Sequence, residues 1–437
     1  VEEMIGSKYN PINLIMIYFI FVYIIFQFGP WPWPNQNPEL IFIFLFVSHF
    51  ILYIGYVISI NKKRKYKIIE KTYIFKFNFM TVLKYLIVIN FILIIPIFFF
   101  RSEANFSLST IVNLINNGLY NPGELYHRKL EREAGKASLL FLILTIFYCF
   151  LKYLIVPNVI YFWSEINGIY KYLMIFTLII EVLSWITIGT NKGIFDNIFI
   201  IIVSYFIKYN FSNKKLNLKY IIFVLILMST ILTFFANSII SRSGKLQTYN
   251  KFANVSVDYN NTLLKLLPQN MQDIFIVMTS YLTQGYYGLS LALTEPFKST
   301  YGFGSSWFLM NIYDIFFERQ VIEERSYLYR LKEHGWQPDI NWHSIYTWLA
   351  SDYSFIGVII LMFIIGKIFG NVTRDCLEES NHICRSLFTL FAIMFIYFPM
   401  NNQIFSFADT FATFWLLFII YLFSNKFHII RFEGSKL

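Results

Sequence analysis

Charge is scarce in this chain. Only 14% of its 437 residues are Asp, Glu, Lys or Arg, while 57% are hydrophobic; a soluble domain carries about 25% charged residues. Cysteine is scarcer still. The three, Cys149, Cys376 and Cys384, lie in or beside apolar runs or in a short polar connection, so no disulfide framework and no metal-binding cysteine pattern follows. Also absent are a Gly-rich phosphate loop with its lysine, a carboxylate-rich metal motif and a nucleophile elbow. These gaps exclude a disulfide-stapled scaffold and the enzyme classes that announce themselves by such motifs.

What the chain has instead is long apolar runs. They lie at about 12–29, 38–60, 79–100, 137–156, 169–189, 191–208, 220–240, 346–369, 384–400 and 409–425, each close to the roughly 20 residues that cross a bilayer as a helix. The runs are continuous and do not alternate, which excludes a membrane barrel. They predict an all-α polytopic integral membrane protein with about ten transmembrane helices and one large outward-facing (periplasmic) loop between spans 7 and 8. Residues 1–237 then hold spans 1–7 with an outward segment at 101–136, residues 238–345 the large loop, and residues 346–437 spans 8–10 and a C-terminal tail. The first run is too long for a removable signal core, so span 1 is expected to be retained.

The net charge of +10 is placed as a membrane protein places it. Lys62, Lys63, Arg64, Lys65, Lys67 and Lys71 follow span 2; Lys208, Lys214, Lys215 and Lys219 follow span 6; Lys426, Arg431 and Lys436 follow span 10. All three groups fall on one face when ten spans are threaded, which makes that face and both termini cytoplasmic. With its basic residues used this way, and no soluble basic-aromatic domain, the chain is not expected to bind nucleic acid. Trp31 and Trp33, set among prolines after span 1, are expected as headgroup-layer anchors.

Ionisable groups in spans are costly and usually have a partner or a use. Lys84 and Lys152 are long enough to snorkel. Glu181, Lys192 and Asp196 fall together at the outward ends of spans 5 and 6, as a salt bridge that pins the hairpin or as a substrate contact. Segment 101–136 carries His127, Arg128, Lys129, Arg132 and Lys136 against four glutamates, a pattern that fits a solvated helix with i,i+4 pairs or an anion-recognising surface. The large loop is electrostatically balanced, so geometry must decide its chemistry. Its apolar stretches 274–278 and 307–317 predict amphipathic helices at the membrane surface. Guanidinium groups there suit a diphosphate because their forked donors match its oxygens, and His334, His343 and Asp352 are the available bases.

Four blocks in this loop and the span after it carry a resemblance: residues 281–293 (YLTQGYYGLSLAL), 301–306 (YGFGSS), 325–330 (RSYLYR) and 335–357, ending in WHSIYTWLASDYSFIG. In this order they resemble the oligosaccharide repeat-unit polymerases of O-antigen and capsule synthesis, the Wzy type, over about a quarter of the chain. The resemblance implies a metal-independent, cofactor-free glycosyltransferase of the cytoplasmic membrane. Such an enzyme moves a growing glycan from polyprenyl diphosphate onto a new lipid-linked repeat unit at the outer face. It implies as partners polyprenyl-diphosphate-linked oligosaccharide, membrane lipid, and flippase and chain-length regulator proteins. Under it, Arg242, Arg325 and Arg330, with Lys192, are expected to hold the diphosphate, Gln284 and Tyr286 to meet sugar, and His343 or Asp352 to serve the acceptor. Lys192 stands in Gly189-Thr190-Asn191-Lys192-Gly193 where family members often carry an arginine, a departure from the pattern. An O-antigen ligase shares the many spans and the outward loop. A transporter would be expected to show internal repeats and short loops, which this chain does not.

Overall fold

The computed structural model describes residues 2–62, 75–104, 107–133, 138–211, 218–378, 382–425 and 430–433. The expected basic anchors Lys63, Arg64, Lys65, Lys67, Lys71, Lys214, Lys215, Lys426 and Lys436, and Lys136 of segment 101–136, lie outside them. The fold is all-α. Among the described residues eight helices are long and apolar enough to cross a membrane: Lys8–Phe28, Pro38–Ile60, Phe79–Ser102, Leu139–Tyr161, Gly168–Ile186, Lys192–Phe211, Val224–Ser243 and Ile345–Leu377. Two shorter apolar helices, Ile383–Tyr397 and Ala408–Ser424, follow. The spans are apolar on their outward-turned faces too, where Ile17, Ile20, Phe42, Ile43, Phe46 and Phe50 are exposed. In a membrane protein, that face meets lipid and loses nothing by being apolar.

The chain divides into two compact units. One gathers Val1–Lys63, Leu246–Arg374 and Met394–Phe407; the other gathers Arg64–Lys245, Asp375–Ile393 and Ala408–Leu437. In the first unit, Pro38–Ile60 and Ile345–Leu377 cross with almost no side chain between them. A β-carbon on Gly55 would stand 2.3 Å from Phe363 O, and one on Gly366 2.1 Å from Leu52 O; Gly370 would meet Tyr56 O at 2.6 Å. Gly366 and Gly370 are four apart on one helix face, the small-residue spacing that lets membrane helices approach backbone to backbone. The neighbouring core is aromatic: Phe19 stacks on His49 and Phe398, and the Tyr346 hydroxyl lies 2.7 Å from His49 Nε2.

Trp31 and Trp33 are not headgroup anchors. Both are buried, their rings stack on one another, and Trp33 stacks on Tyr287. The indole N–H of Trp31 donates to Ile276 O at 3.0 Å and that of Trp33 to Thr283 Oγ1 at 2.8 Å. Their polar ends are satisfied by helix Gln269–Ala292, so water is not needed. The large loop is thereby tied to the connection after the first span, and Asn261 Nδ2 reinforces the tie by donating to Phe28 O and Gly29 O.

The second unit packs helix Leu139–Tyr161 among Phe79–Ser102, Lys192–Phe211 and Ala408–Asn425. The outward segment forms two helices, Leu108–Tyr120 and Pro122–Glu133. The second carries the i,i+4 pair Glu124–Arg128 on its exposed face, as its charge spacing suggests. Glycine again sets the approach: Gly189, at φ +63°, leaves room for Pro122 O only because it has no β-carbon. The expected effect of Gly366→Leu is a loss of about 2–3 kcal/mol of stability from overpacking of the helix crossing. It is read as a lowered melting temperature in detergent, with Gly357→Leu, which meets only side-chain atoms, affected less.

Candidate functional site

Helix Ile345–Leu377 is not continuous. Ser354 sits at φ 62°, ψ 167°, a region essentially reserved for glycine that costs about 1–3 kcal/mol, and it divides the helix in two. The second half is capped by Ser354 itself, whose Oγ accepts from Gly357 N at 3.3 Å. The first half ends with carbonyls that have no helical successor. One of these, Ser351 O, accepts from Thr300 N at 3.2 Å. Beside it the Asp352 carboxylate gathers residues 300–305: Oδ1 accepts from Gly302 N and Gly304 N, both at 3.0 Å, and Oδ2 from Ser305 N at 2.8 Å. The Thr300 hydroxyl also bonds this carboxylate. Asp352, expected as a base, instead has both oxygens committed to backbone donors and is buried; it builds the loop that flanks the site.

From Glu295 to Tyr301 the chain runs along three basic side chains from residues 325–334. Arg325 donates from Nε to Ser299 O at 2.5 Å and lies over the Tyr301 ring, 4.7 Å from its centroid. Arg330 donates from Nη2 to Pro296 O at 2.8 Å and pairs through Nη1 with Glu295 at 3.2 Å. The other Glu295 oxygen lies 2.8 Å from His334 Nε2. His334 is 42% exposed at its side chain. Its Nδ1 has no hydrogen-bond partner among the described residues. With Nε2–H given to Glu295, Nδ1 offers its lone pair to solvent. Arg325 makes no ion pair among the described residues, so the guanidinium edge remote from Nε is open to an anion.

The elements that place these groups are short and locally encoded. Ser326 caps Tyr327–Arg330 through Oγ. Gly335, at φ 80°, ends the turn of 3-10 helix Leu331–His334. Beneath them Met310, Ile322, Leu328 and Trp348 form a closed apolar cluster. Sequence reasoning counted His334 among the available bases but carried no signal for Glu295. The pair spans 39 residues and exists only because the chain folds back.

The other expected residues fall elsewhere. His343 is buried, and burial pushes its pKa down to about 3, with the Gln337 backbone acting in the opposite sense; it is a neutral interior histidine packed near Gly288. Gln284 is interior, its Nε2 donating to Ser280 Oγ at 3.0 Å. Tyr286 is fully buried edge-on to Phe26.

Lys192 and Arg242 belong to the second unit. Lys192 approaches Asp409 at 3.6 Å and lines one narrow cleft with Glu181 and Asp196, the grouping their sequence spacing suggested. Glu181 is taken by Lys152 at 2.8 Å and by the Tyr148 hydroxyl at 2.9 Å. Lys152 does not snorkel: its amine is buried and neutralised where it stands. Arg101 donates to Ser184 Oγ at 2.7 Å and stacks on Trp185, and a narrow cleft runs between these groups and Asp196. Arg242 donates to Gly189 O at 2.7 Å and stacks on Tyr126, which joins the outward helix to two spans of its unit.

No family model, no curated protein and no solved structure matches the chain.

Asp352→Asn keeps one acceptor but turns an amide –NH2 toward backbone donors, so it is expected to lower stability by about 2 kcal/mol and to open residues 300–306 to limited proteolysis. A second expectation concerns acid. The unfolded chain protonates His343 near 6.5 while the folded chain refuses the proton until about 3, so this residue withdraws stability as pH falls through that window. His382, likewise pushed to about 3 by burial beside Arg385, acts in the same direction. His343→Gln should therefore show a smaller drop in melting temperature than wild type between about pH 7 and about pH 5, with the His382 contribution remaining.

Proposed function

We propose that the protein is a membrane glycosyltransferase that polymerises polyprenyl-diphosphate-linked oligosaccharide repeat units, of O-antigen or capsule type, at the outer face of the cytoplasmic membrane. The observation that carries this reading is the Glu295 carboxylate holding His334 and Arg330 at once, with Arg325, which makes no ion pair among the described residues, bound to Ser299 O on the same strip of chain. An oriented base and an open cation on one strip of chain are what glycosyl transfer from a diphosphate requires.

In this reaction His334 Nδ1 takes the proton of the acceptor hydroxyl at the nonreducing end of the new repeat unit. That oxygen attacks the anomeric carbon of the growing chain, and the bond from this carbon to the diphosphate oxygen breaks. The electron pair leaves with the polyprenyl diphosphate, whose charge Arg325 receives through its forked N–H groups. The imidazolium left on His334 is stabilised by Glu295, and Arg330 keeps that carboxylate in place. The four sequence blocks of the resemblance support the reading by their packing. Gly288 lies against Trp336 and His343, and Gly285 against Ser344 N and Pro399 O. Asp352 binds the YGFGSS turn, and Trp348 seals the helices that present Arg325 and Arg330. Positive-inside sorting supports the outward side for this segment.

The polymer ladder of a deletion strain tests the proposal. Deletion should leave core bearing a single repeat, and wild type should restore the ladder. His334→Ala should slow polymerisation by about 100-fold or more, the usual size of a lost base, and Arg325→Ala should do likewise while Arg325→Lys retains part. Long polymer accumulating on the carrier lipid in the deletion strain would identify a ligase instead, and an unchanged ladder would point to transport.

A further inference from the structure

The turn that Asp352 holds presents an aromatic ring that the fold does not use. Phe303 N donates to Thr300 O at 3.0 Å, and the two central residues both have positive φ: Tyr301 at 57° and Gly302 at 88°. Turns of this mirror-image kind favour Asn, Asp or Gly at the first central position, because a β-carbon there crowds the backbone. A tyrosine in that place is strained, and packing does not repay the strain: Tyr301 is 59% exposed. Among the described residues its ring stacks on no other aromatic ring and carries the Arg325 guanidinium, 4.7 Å from its centroid. The next residue opens onto empty space, since a β-carbon on Gly302 would meet no heavy atom within 4 Å. Meanwhile the turn is held by Asp352 and by Thr300 on Ser351 O, so the backbone that carries the exposed ring is fixed.

We propose that Tyr301 is a saccharide-binding platform on which a sugar ring of the acceptor or donor glycan stacks, with Asp352 as its positioning residue. The ring carries the Arg325 guanidinium and the residue remains 59% exposed. An aromatic face pairs with the C–H face of a pyranose, and the phenol hydroxyl and the Arg325 N–H groups meet its hydroxyls. This assignment rests on glycosyl transfer for the identity of the ligand, and it replaces Gln284 and Tyr286 as the sugar contact.

The test uses the full-length chain in lipid nanodiscs, with a printed array of bacterial surface saccharides as probe. Wild type should bind at least one saccharide, Tyr301→Phe should bind it comparably, and Tyr301→Gly should weaken it by about tenfold, the scale of one stacking contact. Glycine takes positive φ without strain, so Tyr301→Gly should melt no lower than wild type, which separates lost binding from lost folding. Wild-type binding retained in Tyr301→Gly overturns the proposal, as does a wild type that binds no saccharide on the array. Saccharide binding that depends on Tyr301, in a strain whose polymer ladder does not depend on the protein, keeps the platform and removes the polymerase.

Discussion

One buried carboxylate organises the long segment before helix Ile345–Leu377. Asp352 stands at the end of a helix broken by Ser354, where the chain cannot satisfy its own carbonyls and a loop must approach to do so. Its two oxygens take four donors from residues 300–305, and the same loop covers the neighbouring Ser351 carbonyl. A carboxylate is suited to this because it only accepts, and consecutive loop amides only donate. The direction of Tyr301, and through it the seat of Arg325, depend on that arrangement. The strain at Ser354 and Tyr301 is tolerated because the surrounding hydrogen bonds over-determine both residues.

The same economy of charge governs the spans. Within helices that face lipid, Lys152 and Glu181 neutralise each other and Tyr148 satisfies the remaining oxygen. Removing either partner of such a pair leaves an uncompensated charge in a medium that cannot solvate it, commonly a matter of about 3–5 kcal/mol. In the segment 295–330 the opposite holds: Arg330 is neutralised by Glu295, while among the described residues Arg325 is held by a carbonyl and a ring and by no carboxylate. The difference between a paired and an unpaired guanidinium marks one arginine as scaffold and the other as available for a ligand.

Much of this was legible in the sequence and some was not. The spans, the large loop and its amphipathic stretch at 307–317 follow from hydropathy, because burial in lipid imposes one rule on every residue. Trp31 and Trp33 were misplaced because an indole among prolines suits the headgroup layer and a buried helix contact equally, and only the N–H partners distinguish them. Asp409 was not legible beside Lys192 for a related reason: hairpin neighbours such as Glu181 and Asp196 are visible in sequence, whereas Asp409 comes from a span more than two hundred residues away. His343 and Asp352 stand in the most distinctive block of the chain, yet one is interior and the other holds backbone.

What the sequence by itself determined is the class of molecule: an all-α membrane protein with many apolar spans. That much needs only the transfer energy of each residue, which is local and additive. Tertiary structure alone decided which polar groups are available for chemistry. Whether a histidine is an interior ring or an oriented base, and whether an arginine is neutralised or open, depends on a partner within about 3 Å. That partner can come from anywhere in the chain; here Glu295 reaches His334 across 39 residues.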